Sequence, residues 1–231
     1  MPLFESTLQY VRDHGTLPPD TVSKEDQNAV GESGVSDEEL LRWREDVVKG
    51  WFSKAVQESW ETEHHKAKVA DERAKLRRRE REIRICILDG FLLYPPPPQS
   101  SADAPSSSDA ATLHRLAHAL LRPRLFLPST KAQTLTRRAA RTGYVTLEGF
   151  WTDPPGYVED VVWPNYARDH AWMYVDGLVD RGADGAGVFD EKAVKSEGVD
   201  VCPGQGTWDM HRLLEWGVER VRGAVEEQVK I

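Results

Sequence analysis

Apolar residues recur along this chain with two different periods. At the amino terminus Leu3, Phe4, Leu8 and Val11 fall on one face of a helix, and Gly15 is placed to end it. Residues 16–35 are polar, carry Pro18, Pro19 and several glycines and serines, and predict a flexible loop. "SDEELLRWREDVVKGWFSKAVQESW" then restores the helical period through Leu40, Trp43, Val47, Trp51, Ala55 and Val56, and the helix is expected to run into the charged stretch through residue 80. Ser36 and Glu39 form a capping box at its start, each side chain satisfying a free backbone N–H of the other residue.

The second pattern consists of short apolar runs. "IRICILDG" predicts a strand over 84–89 buried on both faces. "PRLFLPS" and "GVDVCP" predict two more. Helices are expected from "ATLHRLAHALL", from "TKAQTLTRRAARTGY" and from "YVEDVVWPNYARDHAWMYV", the last interrupted at Pro164. A closing amphipathic helix is built on Met210, Leu213, Leu214, Val218, Val221 and Val225. Strands alternating with helices point to α/β architecture with a parallel sheet. No internal repeat is visible, and the chain reads as a single domain over 1–231 with flexible insertions near 16–35, 95–110 and 176–197.

Composition narrows the function classes. The 231 residues suffice for one core, and a mean hydropathy of −0.56 marks a chain with a thin apolar supply. A formal charge of −8 argues against nucleic-acid binding, and the one dense basic run, "KLRRREREIR", is interleaved with glutamates as a solvated helix face would be. No apolar stretch approaches the roughly 20 residues that cross a bilayer, so no membrane partner is expected. The start, "MPLFESTLQYVRDHG", has no secretory pattern. Cys86 and Cys202 both lie in strand-like contexts and read as buried free thiols of an intracellular protein. The expected location is the cytoplasm, with the nucleus left open.

Asp89 stands at the tip of the first predicted strand, where open α/β sheets bind ligands, although Asp-Gly is also ordinary turn chemistry. Arg137, Arg138 and Arg141 cluster at the end of a helix; guanidinium forks there suit phosphate oxygens, and cations there also suit the helix dipole. The aromatic, Pro-rich stretch that follows suits a lid over a planar ligand. His114 and His118 lie four apart on a helix without an evident third ligand, and read as a solvated pair, as does His64-His65. "PGQG" over 203–206 either wraps a base or starts the last helix.

"ILDGFLLY", "TRRAARTGY" and "FWTDPPGYVEDVVWPNYARDHA", in this order, resemble the nicotinamide riboside kinases, most closely the fungal branch of these uridine kinase-like P-loop kinases. The resemblance implies a P-loop kinase-like parallel sheet with flanking helices. It implies Mg2+ and ATP as cofactors, a small nucleoside as partner, and phosphorylation of the riboside 5′-hydroxyl to the mononucleotide used for NAD synthesis. By resemblance Asp89 matches the acid beside magnesium. Arg137, Arg141 and the loop Pro203, Gly204, Gln205, Gly206 match nucleotide contacts, and Arg138 and Tyr144 match riboside contacts. Such kinases also have a first strand, a GxxxxGK[ST] loop and a second strand carrying the general base; the 231 residues contain no Gly-Lys-Ser/Thr. The resemblance therefore implies an amino-terminally truncated, inactive domain whose open sheet edges invite self-association. A non-catalytic binding module, or a kinase for another nucleoside such as uridine, stays open beside it.

Overall fold

The computed structural model describes residues 2–28, 31–50, 85–90, 92–98, 109–181 and 185–229. The helix continuation through residue 80, His64-His65, the basic run and most of 99–110 lie outside the described residues.

The end of the first helix and the start of the second are formed as the sequence predicts. Helix α1 spans Pro2–His14 and Gly15, at φ 68°, closes it by donating its N–H to Val11 O at 2.7 Å. Helix α2 spans Asp37–Gly50. Its capping box is formed: Ser36 N donates to Glu39 Oε2 at 3.0 Å and Glu39 N to Ser36 Oγ at 3.2 Å. Between them the polar segment holds one 3-10 turn, Glu25–Gln27.

Helix α3 covers Asp109–Leu120 and buries Leu116 and Ala117. It leads into β1, Arg124–Phe126. Helix α4, Lys131–Ala139, begins in a second capping box between Thr130 and Gln133. A hairpin follows, β2 Tyr144–Thr146 paired antiparallel with β3 Gly149–Trp151. Sequence alone showed this stretch only as aromatic and Pro-rich. Its outer strand is held by Asn28, whose side chain donates to Val145 O at 3.2 Å and accepts from Val145 N at 2.6 Å.

Pro164 does not interrupt its helix. A π-helical turn, Val158–Val162, runs directly into α5, Trp163–His170, with Pro164 in the first turn. Proline has no N–H to donate, and the widened turn accommodates it: Trp163 N donates to Val158 O, and the side chain of Asn165 donates to Val161 O at 2.8 Å. The loop expected over 176–197 ends in a helix, α6 Glu191–Ser196, because Asp190 caps it by accepting from Ala193 N at 3.0 Å. Strand β4, Val199–Val201, and helix α7, Met210–Val229, complete the chain.

Two strands, β1 and β4, form the expected parallel sheet, in the register Arg124↔Val199 to Phe126↔Val201. The first predicted strand, over 84–89, is not one. Residues 85–90 are extended but join no ladder, and Ile85 and Ile87 are 53% and 86% exposed. Apolar runs become strands only when neighbouring N–H and C=O groups complete the ladder, and among the described residues none does so here. Cys86 is consequently exposed, against expectation, whereas Cys202 is buried; both are free thiols.

The core gathers against the two-stranded sheet: Phe126, Trp163, Met173, Tyr174, Val179, Val194 and Val199, with Phe189 and Tyr166 packed on it. Each such side chain contributes roughly 1.5–3 kcal/mol by leaving water. Trp163 satisfies its indole N–H on Asp180 Oδ2 at 2.8 Å. In α7 the deepest residue is Trp216, while Met210, expected in the apolar face, is 48% exposed.

One polar residue sits in this core. His170 is 1% exposed, shares Nδ1 with Tyr166 O at 3.0 Å, and its Nε2 has no hydrogen-bond partner. Burial between the rings of Phe126 and Tyr166 pushes its pKa down. The unfolded chain then binds a proton that the folded state refuses. The stability contribution is complete above the unfolded value near 6.5 and declines as pH falls below it. Denaturation curves at pH 7.5 and 5.5 should show a smaller loss on acidification for His170→Leu than for the unaltered chain.

Candidate functional site

A cleft of about 480 Å³ lies between the end of α4, the hairpin and the π-helical turn. That volume is within the range of small-ligand pockets. Each element reaches it for a local reason. The Thr130 capping box fixes the start of α4, so Arg138 and Ala139 in its last turn face the hairpin. Gly143, at φ 102°, lets the chain turn into β2 where a side chain would collide with the Phe150 ring and the Trp151 carbonyl. Gly156, at φ 77°, opens the turn that precedes Val158.

Arg138 and Asp153 form the ionic centre. Arg138 Nε donates to Asp153 Oδ2 and Nη2 to Oδ1, both at 2.7 Å, a two-pronged pair that is about one-fifth exposed. Trp151 adds a third bond to the same carboxylate, its Nε1 donating to Oδ1 at 3.1 Å. These bonds, the arginine's first, hold the Asp153 carboxyl below its ordinary range and raise Arg138 in turn. Arg141 lies over the Tyr144 ring at 4.7 Å. Trp151 meets Tyr157 edge-on with ring centroids 5.7 Å apart.

The sequence-derived residues divide into three places. Arg138, Arg141 and Tyr144 line this cleft together. Arg137 points the other way and donates from Nη2 to Gly206 O at 2.8 Å, joining α4 to the loop over 203–206. In that loop Gln205 adopts φ 46° and donates to Gly187 O at 3.2 Å, while Gly204 lies against Trp208 and Gly206 against Gln133. Pro203 is exposed at the end of β4. Asp89 lies in the exposed segment 85–90 and lines neither described cavity. Among the described residues Asp89 belongs to no group of three or more ligand-bearing side chains, so it would serve Mg2+ as one ligand beside waters and phosphates. The sequence contains no Gly-Lys-Ser/Thr motif.

Asp153 lies in the block "FWTDPPGYVEDVVWPNYARDHA", where sequence alone assigns it no role. Its pairing with Arg138 has no local signature, because the two are on different elements. The cleft offers cations, an indole and a phenol for recognition. It offers no ready proton acceptor in Asp153, since a carboxylate held ionised by Arg138 is a weak base.

Three curated proteins match the chain. The nicotinamide riboside kinase of Schizosaccharomyces pombe is 31% identical over 176 residues, 76% of this chain and 56% of the relative. Over that span the chain is similar to a nicotinamide riboside kinase. The nicotinamide riboside kinase of Saccharomyces cerevisiae is 30% identical over 96 residues, 42% of this chain and 32% of its own length. That of Eremothecium gossypii is 31% identical over 90 residues, 39% of the chain and 30% of the relative. The chain thus spans about half the length of the first relative and about a third of the others. No family model and no solved structure matches it. No helix among the described residues is long and apolar enough to cross a membrane.

Removing the carboxylate from the ionic centre by Asp153→Asn should cost about 1–2 kcal/mol at pH 7, since it strands a partly buried guanidinium. An Asp whose folded pKa is depressed stabilises above its unfolded value near 4, and that stabilisation disappears as pH falls through the folded value. The urea-denaturation stabilities of the two proteins should therefore begin to converge as pH falls below about 4.

Proposed function

We propose that this chain carries the riboside- and phosphate-recognition part of a nicotinamide riboside kinase site, in which ATP and Mg2+ serve phosphorylation of the 5′-hydroxyl. The observation that carries the reading is that Arg138, Arg141 and Tyr144, matched to the family by sequence, surround one nucleoside-sized cleft with Trp151. In this reading Trp151 and Tyr144 offer flat faces to a base or ribose, and Arg141 offers its cation to the product's phosphate. Arg137 holds the loop Pro203, Gly204, Gln205 and Gly206, the matched adenine-side loop, against α4. By the family match Asp89 is the metal-side acid, on a segment that lines neither described cavity.

The 231 residues do not turn over substrate by themselves in this reading. Phosphoryl transfer rests on positioning and charge stabilisation, and the lysine and N–H cradle that supply these in P-loop enzymes have no counterpart in the sequence. A second reading, a non-catalytic binding module, is favoured by one observation. Ile85 and Ile87 are exposed in an extended, unladdered segment that another chain can complete by strand addition. Preference for another nucleoside such as uridine is the third reading, and it is decided by competition.

Purified chain incubated with Mg-ATP and nicotinamide riboside should form no mononucleotide above a protein-free blank. Calorimetric titration with nicotinamide mononucleotide should show binding that weakens about tenfold on Arg141→Ala, the loss of one charge-assisted contact. Turnover would overturn the inactivity. Equal binding by both proteins would overturn the assignment of the cleft.

A further inference from the structure

Outside the cleft, two turns of α3 meet the joint between α6 and β4. His114 and His118 stack there with ring centroids 4.4 Å apart. Glu197, at the end of α6, reaches both: its Oε2 lies 2.8 Å from His114 Nε2 and 2.7 Å from His118 Nε2. Sequence alone showed the histidine pair without a third partner, because the glutamate arrives from another element.

We propose that His114, His118 and Glu197 form a binding site for a divalent transition-metal ion of the zinc type. Two imidazole nitrogens at i and i+4 on one helix face, with a carboxylate from a second element, make the donor set of a three-ligand zinc centre whose fourth position is water. The donor atoms already converge on one point and all lie within 4.8 Å of one another. Tetrahedral coordination at about 2.0–2.1 Å places ligand atoms about 3.3 Å apart. The ion therefore asks each histidine–glutamate contact to open by roughly half an ångström, a side-chain adjustment. Each ring moves its proton from Nε2 to Nδ1 when the nitrogen lone pair turns to the metal.

The surroundings support the placement and set its selectivity. His114 and Glu197 are each 19% exposed and His118 is 37% exposed, so the donors are sheltered but open to entry. The adjoining hollow, lined also by Tyr94, Pro95 and Trp172, has room for one water-sized body. Arg124 fixes the backbone of the glutamate, its Nη2 donating to Glu197 O at 2.6 Å. Its charge opposes a cation in the same hollow. That opposition excludes Mg2+ and Ca2+, which rely on several carboxylates, and leaves ions that gain from imidazole.

The test is titration of the full, metal-stripped chain with Co2+ as a visible probe. One equivalent should produce the intense absorption of a four-coordinate ion, Zn2+ should abolish it by displacement, and a large excess of Mg2+ should leave it unchanged. Glu197→Gln retains hydrogen-bond acceptance from both rings, so it should stay folded by circular dichroism while binding Co2+ at least tenfold more weakly; His118→Ala should do likewise. The double variant His64→Ala, His65→Ala should bind as the unaltered chain does. Absence of a four-coordinate spectrum in the unaltered chain overturns the site. So does a spectrum that survives His118→Ala but is lost in the His64, His65 variant.

Discussion

The parallel pairing of β1 with β4 is the constraint on which the rest of this molecule depends. It joins segments far apart in sequence, and Cys202 N extends it by donating to Phe126 O at 2.8 Å. Phe126 and Val199 give the core its floor. The same pairing sets what lies at either end. After β1 the chain enters α4 and delivers Arg138 and Arg141 to the cleft; after β4 it enters the loop over 203–206, which Arg137 reaches from α4. Before the two strands lie α3 and α6, whose closest meeting is the histidine–glutamate cluster.

The arginines show how charge is divided in the cleft. They follow one another in sequence and read as a single clamp, yet only Arg141 keeps its guanidinium free of a carboxylate or carbonyl bond among the described residues, resting on Tyr144. Arg138 is committed to Asp153 and organises the hairpin against α4 and the π-helical turn. Arg137 is committed to a backbone carbonyl. Arg138, half-buried, must be matched locally and so shapes the wall, exposed Arg137 ties α4 to the loop over 203–206, and Arg141 remains for an incoming anion.

What was legible in the sequence follows from the range of the forces involved. Gly15 ending α1 and the Ser36–Glu39 box starting α2 are contacts within one turn, and each was readable from spacing. The helices around 112, 131 and 210 and the two paired strands also came from local periodicity. Resemblance then gathered Arg138, Arg141 and Tyr144. Residues 84–89 misled because an apolar run records what could be buried, while pairing needs neighbours that the run itself does not specify; Ile87 lies 86% exposed. The hairpin, Asp153 under Arg138, and Glu197 between two histidines were illegible because each partner comes from a separate element. Sequence spacing carries no trace of such a meeting.

Asn28 deserves its place among the architectural residues. Its amide presents one donor and one acceptor to Val145, as a neighbouring peptide group would, so a loop side chain occupies the hydrogen-bonding positions of an adjacent strand. Hydrolysis of that amide to a carboxylate would keep the acceptor and lose the donor, leaving two oxygens opposed across the seam. The hairpin's fastening is thus subject to slow chemical ageing at a single nitrogen, a vulnerability that an all-backbone seam does not have.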